Sequence, residues 1–172
     1  MKDNNKSMRK GFTLIELLVV LGILGILATV LLVTINPSVQ LQKANDAHRK
    51  SDLETLQRAL ELYYQDKGTY PPSLNNEIAP GNVAISWGSS WQPYMSILPK
   101  DPTGGNTYVY YSPPSANGQA YYLYTNLQRG MNDPQACNKG SACQSLSGTG
   151  FPSATSCGGT CNYGVSSPNV SP

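Results

Sequence analysis

The sequence predicts an α+β fold. A long N-terminal helix, apolar in its first half, packs by its second half against a small antiparallel sheet, and a loop-rich C-terminal region is stapled by disulfides. Three observations predict this. The 24 residues from Phe12 to Ile35 carry a single charge, at Glu16. Leu53, Leu56, Leu60 and Tyr63 then recur at helical spacing. Two short tyrosine-rich runs and four cysteines, Cys137, Cys143, Cys157 and Cys161, come only after the helical pattern has ended.

A 24-residue helix spans about 36 Å, enough for a ~30 Å hydrocarbon core. A secretory signal peptide fits worse, because its apolar core is about 7–15 residues long. The residues before the run, 1–10, carry Lys2, Lys6, Arg9 and Lys10 against Asp3. Positive flanks stay in the cytoplasm, so the N-terminus is expected inside and everything after Ile35 outside. A carboxylate within such a span costs about 2.5–3.5 kcal/mol at mid-bilayer and less near an interface, so Glu16 needs a partner. If the bond between Gly11 and Phe12 is cut, a new α-amino group appears one helical turn before Glu16. Pairing of the two groups on assembly then fixes register more than it adds stability.

Lys10-Gly11-Phe12-Thr13-Leu14-Ile15-Glu16-Leu17-Leu18-Val19-Val20 resembles the signal sequence of the type IV pilin and type II secretion pseudopilin superfamily. The likeness is specific over the N-terminal third and weaker to about Tyr70. It implies a pilin-like fold, cleavage after Gly11 by a prepilin peptidase, N-methylation of Phe12, and Glu16 as the assembly carboxylate. It also implies partners: further copies in a helical filament, the peptidase/methyltransferase, an inner-membrane platform protein with its assembly ATPase machinery, and membrane lipid. The expected division is a cleaved leader (1–11), a transmembrane assembly half of the helix (12–35), an amphipathic half (36–67) and an extracytoplasmic head (68–172). The subunit would start as a single-pass inner-membrane protein and end in a surface or periplasmic filament.

Gly22 and Gly25 lie near the middle of the apolar run, where close helix packing or a weak point in the helix are both open. Asn36-Pro37 predicts a bend in one helix running from Phe12 to Lys67, about 80 Å long. Val39, Leu41, Ala44 and Ala47 lead into the apolar stripe. Arg49, Lys50, Asp52, Glu54, Gln57, Arg58, Glu61 and Gln65 are assigned to the opposite, solvated face, with Glu54 and Arg58 as an i,i+4 pair. Such charges also have the option of pairing between subunits. His48, the single histidine, is assigned to the surface. Gly68 with Pro71-Pro72 ends the helix.

Trp87, Trp91, Tyr94, Met95, Ile97 and Leu98 are expected to anchor an irregular stretch onto the helix. Tyr108–Ser112 and Ala120–Asn126 are strand candidates joined as a hairpin. Their tyrosines alternate on two faces, one expected in the core and one toward a neighbouring subunit or, alternatively, forming a binding platform. Beyond Arg129 the chain has too little apolar content to hold itself, so the cysteines must staple it. Four cysteines allow three pairings, of which Cys137–Cys143 with Cys157–Cys161 is the local one. Val165 to Pro172 reads as a frayed tail.

The charge of +2 is too small to argue for nucleic acid. No catalytic constellation emerges, no cofactor motif is present, and the cysteine spacings do not favour zinc. Major pseudopilins bind calcium in an Asp-rich loop near the C-terminus. Here Asp133 is the one acidic residue after Asp101, so that site is not carried over and disulfides are expected in its place. This tilts the reading toward a type IV pilus subunit, with a type II secretion pseudopilin and a non-polymerising membrane-tethered binding domain as the alternatives.

Overall fold

The computed structural model describes residues 11–172; residues 1–10 of the expected leader (1–11) lie outside them. The chain divides after Gln40 into two compact units. Two helices come first, α1 (Leu14–Ile35) and α2 (Pro37–Lys67). Five short strands follow: β1 (Ser73–Leu74), β2 (Glu77–Ile78), β3 (Val109–Tyr111), β4 (Tyr122–Thr125) and β5 (Tyr163–Ser166). β1 and β2 form a two-stranded ribbon, and the other three form an antiparallel sheet in the order β3-β4-β5.

The helix expected to run from Phe12 to Lys67 with a bend at Asn36-Pro37 is interrupted at Asn36, which adopts the left-handed conformation (φ 46°). Pro37 brings no N–H to continue the ladder. The Asn36 carbonyl instead accepts from the Val39 and Gln40 amides and opens α2. At the other end Gly68, at φ 73°, donates to the Tyr64 carbonyl, the αL stop expected there. α1 itself is α-helical through Gly22 and Gly25.

Within the second unit, Leu53, Leu56, Ala59 and Leu60 are buried along α2. They pack with Tyr108, Tyr110, Tyr121 and Leu123 from one face of the three-stranded sheet. Burying each such side chain contributes about 1.5–3 kcal/mol. Leu41, by contrast, is exposed, as are Ala44 and Ala47, so the core stripe begins later than the sequence suggested. Trp91 and Leu98 are buried and Trp87, Tyr94 and Met95 pack against them, but Ile97 is exposed. Ile78, missed in the sequence, is fully buried. It sits on a ribbon closed by Asn75 and Asn76, both in the left-handed region.

The hairpin forms as expected, with Val109 opposite Tyr124 and Tyr111 opposite Tyr122. Its second face does not look toward a neighbour. Val109, Tyr122 and Tyr124 are covered by Cys143, Leu146, Cys157 and Cys161 of the chain's own C-terminal region. The sheet is therefore sandwiched between α2 and a disulfide-bonded layer. The expected frayed tail is also corrected. Val165 and Ser166 belong to β5, Ser167 is buried with its hydroxyl accepting from the Tyr121 amide, and Val170 joins the second core. Gly164 makes this strand possible, because a Cβ there would lie 2.8 Å from the Tyr124 ring.

Candidate functional site

Glu16 stands in the first turn of α1, where its carboxylate closes a capping box. Its Oε2 accepts from the Thr13 amide and hydroxyl, both at 2.8 Å, while its own amide donates to Thr13 Oγ1 at 3.3 Å. The orphan donors at a helix start favour an anion there. Thr13 was quoted in the sequence without a role; the spacing Thr-x-x-Glu is the signal that marks it. From Leu14 to Leu31 the helix has a mean hydropathy of 2.8 and none of that stretch is buried. It is long and apolar enough to cross a membrane. Phe12, Ile15, Glu16, Val19 and Val20 line one shallow groove, which brings the proposed new N-terminus and the carboxylate to one side of the helix.

The second unit carries its charges in an unexpected place. Arg49, assigned to solvent from its position, is wholly buried. Its Nε and Nη2 grip Asp101 at 2.8 and 3.0 Å, and its Nη1 reaches Asp46 at 2.8 Å. Asp46 also accepts the Gln128 and Arg129 amides. Burial alone would raise the Asp101 carboxyl, but Arg49 and the Thr103 amide and hydroxyl outweigh it and hold the group below the usual carboxylate range. Glu54 and Arg58 form no ion pair; Arg58 donates to Thr55 instead. His48 is largely exposed, as expected, with Nδ1 3.0 Å from Asp52.

The disulfides are the local pair, Cys137–Cys143 and Cys157–Cys161. Between them and α2, the Lys50 ammonium lies 2.6 Å from Asp133 Oδ2, 2.8 Å from Gln135 Oε1, and over the Tyr163 ring. Asp133 Oδ1 accepts the Gln135 amide. Both oxygens of that carboxylate are thus engaged, and a lysine cation already occupies the place among them. These residues do not fit calcium, which needs several free oxygen ligands. Among the described residues no group of three or more His, Cys, Asp or Glu is placed to hold a metal.

It follows that added calcium or a chelator should leave the melting temperature of the purified chain unchanged. Reduction should lower it. Loops this short give about 2 kcal/mol per bond, and together roughly 10–15 °C for a unit of this size. Thermal melts with calcium, chelator and reductant compare the three directly.

Comparison with known proteins supports the N-terminal motif and extends the likeness into the head. A family profile described as "Prokaryotic N-terminal methylation motif" matches residues 6–32. A second, "Type II secretion system (T2SS), protein G", matches residues 37–139. Among curated relatives, the type II secretion system core protein G of Vibrio cholerae is 37% identical over 117 residues, covering 63% of this chain and 75% of that one. Its counterpart in Aeromonas hydrophila is 38% identical over 112 residues, 63% and 76% of the two chains. The fimbrial protein EcpC of Eikenella corrodens is 38% identical over 66 residues, 38% and 42% of the two. No solved structure matches. The protein G profile ends before Cys143, so the disulfide-bonded layer over the sheet lies largely outside what the family shares. With the capping-box glutamate opening an apolar helix, and α2, β3 and β4 lying within the matched span, the chain belongs to the type II secretion system protein G family.

Proposed function

We propose that this chain is a structural subunit of a type IV pilus-like filament, cut after Gly11, N-methylated at Phe12 and polymerised through its N-terminal helix. The observation that carries the reading is one carboxylate, Glu16, in the first turn of an otherwise uncharged apolar helix that is exposed from Leu14 to Leu31. Such a helix is unsuited to water, and such a carboxylate is unsuited to lipid unless a cation meets it. A Phe12 α-ammonium supplied by cleavage is that cation. The head rides outside the membrane, and the chain works by assembly rather than catalysis. Its partners are further copies of itself, a prepilin peptidase with methyltransferase activity, and the membrane platform and ATPase that drive assembly.

Within this class the relatives favour a secretion pseudopilus. The second reading, a surface pilus, is favoured by the scarcity of carboxylates after Asp101 and by the match to a fimbrial protein. Intact mass of the protein recovered from membranes tests the common core. The expected species starts at a methylated Phe12. Recovery solely of chains that keep Gly11 would leave a tethered, non-polymerising head. Loss of exported proteins on deletion of the gene separates the secretion reading from the pilus reading.

A further inference from the structure

Three cations of the second unit have no acid beside them. Among the described residues, Lys43, Arg129 and Lys139 enter no ion pair. Lys43 and Arg129 line one pocket with Asp46, Lys50, Asn132 and Asp133. Both carboxylates of that pocket are already engaged. Asp46 accepts from Arg49 and from the Gln128 and Arg129 amides. Asp133 accepts from Lys50 and from the Gln135 amide. Lys139 stands on the far side of Asn132 and Asp133, in a hollow that it lines with Met131 and Pro134. Met131 is 84% exposed, more than any other large apolar side chain of this unit.

The surface is held in place from three directions. Asp46 ties the Arg129 backbone to α2. The Cys137–Cys143 bond closes the loop that carries Lys139. At Gly140 that loop lies so close to Met131 that a Cβ would overlap the Met131 amide. Three unmatched cations and one exposed apolar side chain thus share a fixed patch.

We propose that this patch docks on anionic phospholipid. Lys43 and Arg129 take a phosphodiester headgroup, Lys139 adds a third positive charge, and Met131 enters the interface beside them. An exposed apolar group among unpaired cations is the combination that an anionic lipid surface attracts. Chain connectivity keeps that surface within reach. α1 runs to Ile35, α2 starts at Pro37, and Lys43 comes six residues into α2. At any angle of the joint at Asn36, the Ile35 and Lys43 Cα atoms are then at most about 17 Å apart. The headgroup layer takes up about 5–7 Å of that distance, and the surface field reaches about 10 Å further. The inference rests on membrane anchoring of the apolar helix and does not require that the chain polymerise.

The test places the full chain in nanodiscs of phosphatidylcholine, with or without phosphatidylglycerol, and follows amide exchange of residues 129–140 by mass spectrometry. Phosphatidylglycerol is expected to slow that exchange about tenfold, and about 1 M salt to reverse the effect, because the Debye length falls to ~3 Å. Lys43→Gln and Arg129→Gln should each lower the ratio of docked to free head about fivefold, and together remove the protection. Lys43→Arg should keep it, as should Arg58→Gln, which removes a cation further along α2. Equal exchange in the two discs, protection that survives high salt, or protection retained by the double variant overturns the proposal. The salt arm uses the unaltered chain, so misfolding of a variant cannot decide the outcome. Glycerol phosphate or duplex DNA that slows the same segment equally on phosphatidylcholine discs overturns the assignment to lipid. A chain that does not stay with either disc removes the membrane anchor itself.

Discussion

Arg49→Ala is expected to lower the unfolding free energy of the head by about 3–5 kcal/mol, the cost of leaving a buried charge uncompensated. Asp46 and Asp101 are both buried, 5% and 9% exposed, and both lose the guanidinium between them. The loss spreads, because Asp46 also holds the amides of Gln128 and Arg129, where the chain turns from β4 toward the disulfide region. Urea melts of the full chain in detergent read the midpoint, and limited proteolysis shows cutting near Gln128. An unchanged midpoint would mean that the triad contributes nothing net.

Asp101 beside Arg49, and Asp133 beside Lys50, give acid sensitivity of defined sign. The Asp101 and Asp133 carboxyls are both held below their ordinary value of 3.8 in the folded chain. A group depressed on folding stabilises fully above its unfolded pKa and loses that contribution as pH falls through the folded value. Stability therefore falls below about pH 4. Asp101→Asn should be less stable at neutral pH and show a flatter acid limb.

Glu16→Gln is expected to leave processing intact and to abolish assembly. Glutamine keeps the capping box, since its amide oxygen still accepts from Thr13. What it removes is the charge. Each incoming subunit then carries an unpaired Phe12 ammonium into an apolar filament interior, at about 2.5–3.5 kcal/mol on insertion scales. That is roughly a hundredfold in association at every step. Intact mass should show the trimmed, methylated chain at normal yield, while sheared filaments disappear. Glu16→Ala should behave alike but also lose the helix cap, so the comparison separates charge from capping. Filaments from Glu16→Gln at wild-type yield would end the role assigned to that carboxylate.

Much of this could be read directly from the chain. Phe12 to Ile35 is legible because an uncharged run of that length has few other uses. Leu53, Leu56 and Leu60 are legible because helical periodicity is local, and so are Gly68 as a stop and the β3–β4 hairpin. Arg49 was misread for the opposite reason. Its position around the helix marks it as peripheral, and its partner Asp101 lies 52 residues away. β5 was missed because four residues containing a glycine carry almost no strand signal; it exists only because β4 offers an edge. The outward-looking tyrosines were assigned to a neighbour because nothing in their own strands shows that a polar, glycine-rich segment folds back over them.

The sequence by itself determined the parts whose physics is local: a membrane-length helix, a single acid near its start, an amphipathic second helix and four cysteines beyond it. Only the tertiary structure decided which of the charges on α2 turn inward, which cysteines pair, and what covers the far face of the sheet. Those outcomes depend on groups brought together from opposite ends of the head. Burial and pairing are properties of that meeting and not of any one stretch of chain.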